Sequence, residues 1–137
     1  MIDLHNTVVD TAAKARALLD HFHSPYLKVV IDGANLFHTG ELPRMREILD
    51  EAFQLLGPDI AMAHAKDLLV DGAAGNVAAG TGNLDYSHYL RKLQENGWAG
   101  ALILHSLDEG QVAESVAFIQ EKLTALDRPR AAGRSSL

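Results

Sequence analysis

The chain has 137 residues, 47% hydrophobic and 22% charged, with a formal net charge of −6 and no cysteine. Those proportions suit one folded domain with an apolar core and do not make disorder the default. The acidic balance argues against a broad nucleic-acid face, because neutralising phosphates takes clustered Lys and Arg, and the lack of cysteine removes disulfides and thiolate metal sites.

The opening residues Met1-Ile-Asp-Leu-His-Asn6 lack the basic-then-apolar order of a secretory leader. No apolar stretch reaches the roughly 18 residues that suggest a membrane span. The expectation is a cytoplasmic protein with neither membrane nor nucleic acid as partner.

Taken in chain order, Ala12, Ala15, Leu18, Leu19 and Phe22 recur at helical spacing, and Asp10 or Thr11 can cap the first turn. Pro25 ends that helix. Leu27-Lys-Val-Val-Ile31 then reads as a strand covered on both faces, stopping at Asp32-Gly-Ala-Asn35. A second helix fits Leu42 to Leu56, with Pro43 in its first turn and Met45, Ile48, Leu49, Ala52, Phe53 and Leu56 on its buried face. Gly57-Pro58 terminates it, and Asp59-Ile-Ala-Met-Ala-His64 forms the next short apolar run. Residues 70–83 carry Gly72, Gly75, Gly80 and Gly82 and read as a long loop, either a binding segment or a mobile lid. Asp85 caps a third helix running to Glu95, closed by Asn96-Gly97. Gly100-Ala-Leu-Ile-Leu-His105 is a third strand. The last helix, Glu109 to Leu126, is expected to bury Val112, Val116, Ile119, Leu123 and Leu126.

Each strand is separated from the next by enough chain for a helical crossover, which predicts parallel pairing. Asp32, His64 and His105 each stand at the C-terminal end of a buried strand, where barrels and open α/β sheets place their chemistry. If the strands are neighbours, these residues offer one oxygen and two nitrogen donors, suited to Zn²⁺, Mn²⁺, Co²⁺ or Fe²⁺. A strand-end Asp also caps loops and a strand-end His also bonds backbone, so the spacing alone leaves both readings open. Lys66 and Asp67 could orient a substrate hydroxyl or phosphate, or form an exposed ion pair. Gly80-Thr-Gly-Asn83 could cradle an anion at a helix start, but it lacks the order of a nucleotide motif. His21, His23, His38 and His88 read as surface residues.

Four segments, Val29-Val-Ile-Asp-Gly-Ala-Asn-Leu36, Ile60-Ala-Met-Ala-His-Ala-Lys-Asp67, Gly80-Thr-Gly-Asn-Leu-Asp-Tyr86 and Ala101-Leu-Ile-Leu-His105, resemble in order and spacing the last three strands of the xylose isomerase-like sugar phosphate isomerase/epimerase family. The resemblance covers roughly residues 6 to 126. It implies an α/β fold, a partial TIM-type (β/α) barrel of three parallel strands alternating with four helices. Residues 1–126 would be the C-terminal part of a (β/α)8 barrel and 127–137 a disordered tail. It also implies a divalent metal (Mn, Zn, Co or Mg) at the barrel mouth, and proton shuttling between adjacent carbons of a sugar or sugar phosphate. Asp32 and His64 match the family's metal ligands, and Asn35 falls where many members have a substrate-contacting histidine. His105 replaces a glutamate, so it would serve as metal ligand and acid/base. The family's other glutamate would align at or before Met1. The resemblance thus points to a fragment lacking part of the active site, able to self-associate through open strand edges. Alternatives are an inactive association module, a relative of the abasic-site endonucleases, or a keto-inositol dehydratase.

Overall fold

The computed structural model describes residues 9–127. Thr11 opens the first helix, α1 (Ala12–Phe22), its hydroxyl accepting the Lys14 amide at 3.2 Å. His23 closes it in the left-handed conformation and donates its N–H to the Leu19 carbonyl. Ala15 and Leu19 are buried as the spacing predicts, but Phe22 is exposed. It sits in the last turn, past the edge of the core, with its ring edge-on to His21.

Three strands, β1 (Val29–Asp32), β2 (Ile60–Ala65) and β3 (Leu102–Leu104), form one parallel sheet in the order β1-β2-β3. Between them run α2 (Met45–Leu56) and α3 (Tyr86–Glu95), and α4 (Val112–Asp127) follows β3. The described residues thus form the expected partial α/β barrel. The helix expected from Leu42 begins as a 3-10 turn, Leu42–Arg44, with Pro43 in the first turn, where no amide donor is needed. Asp85 caps α3 through the His88 amide at 3.0 Å. Asp127 closes α4, so of the expected tail only residues 128–137 lie outside the described part. No helix among the described residues is long and apolar enough to cross a membrane.

One core gathers Ala15 and Leu19 of α1, Leu49, Phe53 and Leu56 of α2, Tyr89 and Leu93 of α3 and Ile119 of α4 around Val29, Ile31, Ala63 and Ala65. β1 is buried throughout, as its unbroken apolar run predicts, whereas β2 alternates, with Ala63 and Ala65 covered and His64 half-buried. The small Ala63 and Ala65 let the helices approach the sheet closely. On α4, Ile119 is buried as expected and Leu123 and Leu126 pack against the core, but Val112 and Val116 are exposed and Ser115 is buried instead. Two contacts set this rotation. The Ser115 hydroxyl donates to the Ala79 carbonyl at 3.1 Å, and the Phe118 ring packs edge-on against Tyr86.

At the opposite end of the sheet from the strand-end polar residues, Asp59 precedes β2 and receives Arg16 of α1 at 2.8 Å and Lys28, just before β1, at 2.9 Å. These two cations hold its carboxyl below the usual carboxylate range. Because the folded value is lowered, the stabilisation is complete above the ordinary value of 3.8 and is lost as pH falls through the folded value. Thermal melts of the wild type and Asp59→Asn should therefore differ at neutral pH and converge in acid; a gap that persists unchanged at low pH would show that the carboxylate charge is not what acts.

Candidate active site at the strand ends

Parallel register pairs Asp32 with His64 and His64 with Ile103. Paired residues in neighbouring strands project to the same side, and residues two apart along a strand share a face. Asp32, His64, Ile103 and His105 therefore line one face, opposite the helix-covered face of Ala63 and Ala65. His105 stands one residue beyond β3 and is tied to β2 by its amide, which donates to the Ala65 carbonyl at 3.1 Å. The His64 and His105 rings stack with centroids 5.2 Å apart and planes 8° from parallel. The structure thus brings together the three strand-end residues singled out in the sequence.

Asp32 is 1% exposed, and both its oxygens are engaged. Oδ1 accepts the Ala34 amide at 3.2 Å, starting the 3-10 turn Gly33–Asn35. Oδ2 lies 3.0 Å from the Lys66 ammonium and 3.4 Å from His64 Nδ1. Lys66 is itself buried, so it is no surface ion-pair partner of Asp67; it is the counter-ion of Asp32.

Asp67 is an organiser of the loop. Oδ1 accepts the amides of Leu68 and Leu84, both at 2.9 Å, and Oδ2 accepts the Gly80 amide at 3.1 Å. A buried carboxylate held by three amides has little left to offer a substrate, which corrects the reading of Asp67 as a substrate contact. It also accounts for the glycines at 80 and 82: the anion they accommodate belongs to the chain itself. A Cβ on Gly82 would lie 2.5 Å from Asp67 Oδ1 and from the Leu68 carbonyl. Asn35, buried, accepts the Gly75 amide at 3.1 Å, and Gly72 donates to Phe37 at 3.0 Å. With the Asp67–Val77 bridge, the segment expected to be a lid or binding loop is stitched down along its length.

Two tyrosines that sequence reasoning passed over hold the strand ends in place. The Tyr89 hydroxyl shares its proton between the carbonyls of His64 at 3.1 Å and Ile31 at 3.3 Å, joining β1 to β2. Tyr86 donates to the Lys66 carbonyl at 2.8 Å. Burial, reinforced by nearby carboxylates, keeps both phenols protonated far above the usual phenol range, so both act as donors. Their only sequence signal is the helical spacing of Tyr86, Tyr89, Leu90 and Leu93, which marks a core face. His88 was expected at the surface; its Nε2 meets Asp50 of α2 at 2.8 Å, pinning α3 to α2. His21, His23 and His38 are exposed as expected.

The donor set answers whether these residues fit a divalent ion. Asp32 Oδ2 and His64 Nδ1 have the separation of two adjacent ligands on one ion, but Lys66 already neutralises that oxygen. His105 does not supply a third: imidazole lone pairs lie in the ring plane, and near-parallel stacked planes do not meet at a common ion. Its Nδ1 is moreover 2.8 Å from the Ser106 hydroxyl. Among the described residues no group of three or more His, Asp or Glu side chains is arranged to hold a metal. They provide two donors and a built-in cation, too few to hold a divalent ion by themselves.

Removing Lys66 alone leaves Asp32 charged and buried without a counter-ion. Lys66→Met is expected to cost roughly 3–5 kcal/mol of stability in denaturant unfolding, and Asp32→Asn combined with Lys66→Met to recover most of it. Equal stability of Lys66→Met and wild type would refute the pairing.

A family model described as xylose isomerase-like TIM barrel matches residues 2–122. A D-tagatose 3-epimerase-like protein superposes with a TM-score of 0.65 at 19% identity, covering 90% of this chain and 46% of its own. A xylose isomerase domain protein from Planctomyces limnophilus gives 0.64 at 24% identity, over 85% of this chain and 43% of its own. No curated protein matches. The chain spans a little under half the length of those two structures, and at these identities their likeness speaks for the fold alone. The family match, running through all three strands and the polar residues at their ends, establishes that the chain belongs to the xylose isomerase-like TIM barrel family.

Proposed function

We propose that this chain is one part of a sugar or sugar phosphate isomerase/epimerase-like barrel, carrying a portion of the active site and needing the rest of the barrel for turnover. The observation that supports this most directly is the convergence of Asp32, His64 and His105 on one face at the ends of neighbouring parallel strands. Chemistry in this architecture sits at that end.

In this reading the buried Lys66–Asp32 pair does not touch the sugar; it fixes the position of His64, which lies beside the same Asp32 oxygen. His64, half-buried and beside Asp32, donates or accepts at a substrate oxygen. His105, exposed at the mouth and held at Nδ1 by Ser106, moves a proton through its other nitrogen. A second proton-transfer group, and the donors that a divalent ion would require, come from outside the described residues.

The test is a titration of the isotope-labelled chain with D-fructose, followed by NMR. Shifts centred on Asp32, His64, Lys66 and His105, and at least fivefold weaker binding in His64→Ala and His105→Ala, are expected; no sugar-dependent shift would sink the reading. Turnover by the chain alone is not expected.

A second reading, self-association, is favoured by Ile103, 38% exposed on the site face, and by the exposed Val112 and Val116 of α4. Light scattering should then give a mass above the 14.8 kDa of one chain, reduced by Ile103→Glu or Val116→Glu. A monomer at all concentrations, or variants without effect, would remove it.

A further inference from the structure

Beside His105 lies a crevice of about 480 Å³ between the loop around Thr81 and the turn that leads into α4, its polar lining being Asn76, Thr81, Ser106, Asp108 and Gln111. Its size falls in the range of small-molecule sites. Ser106 joins it to the site already described, because this residue both lines the crevice and lies 2.8 Å from His105 Nδ1. Ser106 also has φ 57°, the left-handed region that non-glycine residues rarely enter. Local backbone strain is thus concentrated where crevice and histidine meet.

We propose that this crevice receives an uncharged, hydroxyl-bearing end of the substrate, so that the sugar is unphosphorylated where it passes His105. The inference rests on the reading that the barrel mouth binds a sugar, and it narrows the substrate class.

Charge decides against phosphate. Phosphate recognition uses Arg or Lys, or the free amides of a helix N-terminus. Among the described residues the lining holds neither Lys nor Arg, and Lys66 at the end of β2 is committed to Asp32. The start of α4 is also closed to an anion. Asp108 stands at the N-cap of the turn Glu109–Gln111, and Gln111 Oε1 accepts the Asp108 amide at 2.9 Å, in a capping box. A carboxylate already sits at that positive end, and Glu109 and Glu114 follow it.

Hydrogen-bond capacity decides in favour of alcohols. Thr81 gives its proton to the Ala78 carbonyl at 2.7 Å, leaving its oxygen to accept. The Gln111 oxygen is taken by Asp108, leaving its NH₂ to donate. Asp108 adds a further acceptor. A sugar hydroxyl donates and accepts, matching such a mixed lining, whereas phosphate near neutral pH chiefly accepts and would face unpaired acceptors.

The test compares binding of D-fructose and D-fructose 1,6-bisphosphate to the full chain by calorimetry at physiological ionic strength. The bisphosphate carries phosphate at both ends, so neither orientation avoids the crevice. D-Fructose is expected to bind at least tenfold more tightly. Gln111→Ala should weaken D-fructose several-fold, and Asp108→Asn, which keeps a capping side chain while removing the charge, should strengthen the bisphosphate several-fold. Equal or tighter binding of the bisphosphate to the wild type, or variants that change neither affinity, would overturn the crevice assignment and leave sugar binding at the mouth intact. Failure of both sugars to bind the wild type would overturn the sugar-binding reading itself, and this inference with it.

Discussion

Asp32 is a carboxylate with almost no access to water, and an unpaired charge in that position would oppose folding by several kcal/mol. Its surroundings follow from that constraint. One oxygen is met by the Ala34 amide, which forces the chain into a 3-10 turn directly after β1. The other is met by Lys66, which must therefore leave β2 pointing inward, while His64 sits beside the same oxygen. The polar end of the sheet is thus specified electrostatically, in the way that the apolar end is specified by packing.

A pair of this kind holds its place only if the strand ends cannot drift apart, and α3 supplies that restraint. Tyr89 and Tyr86 are core residues by their rings and strand clamps by their hydroxyls, reaching the carbonyls of Ile31, His64 and Lys66. An aromatic ring with one polar tip suits this double task, since its apolar body can be buried while the tip finds a backbone partner. α3 is in turn held to α2 by His88 and Asp50. Burial raises the Asp50 carboxyl, but the hydrogen bonds from His88 and Lys92 outweigh it and bring it below its ordinary value.

Much of this was legible in the residues. Apolar periodicity located the helices and strands, and the unbroken run of β1 correctly indicated burial on both faces. The placement of Asp32, His64 and His105 at strand ends foretold that they would meet. What each of them does on meeting was not legible, because it depends on directions that spacing does not encode. His105 stacks on His64 and does not converge with it on an ion; Lys66 turns to Asp32; Asp67 turns to the loop. The exposure of the first two valines of α4 was missed for a related reason. Valines at helical spacing look like a core face, but a serine that finds a buried carbonyl and a phenylalanine that finds a tyrosine set the rotation instead. Position is a property of the sequence pattern, and partnership is a property of three-dimensional competition among polar groups.

Asp67 binds Leu68 beside it, Gly80 and Leu84 far along the chain, and so turns the intervening segment into a ring closed by a side chain. The entropy of closing a ring grows only with the logarithm of its length. Residues could therefore be added at the exposed Ala73, between the bonded Gly72 and Gly75, at small thermodynamic cost while the mouth of the barrel kept its shape. The same knot that stills the loop lets it change length, and so the profile it presents to solvent, without disturbing the paired charges beneath.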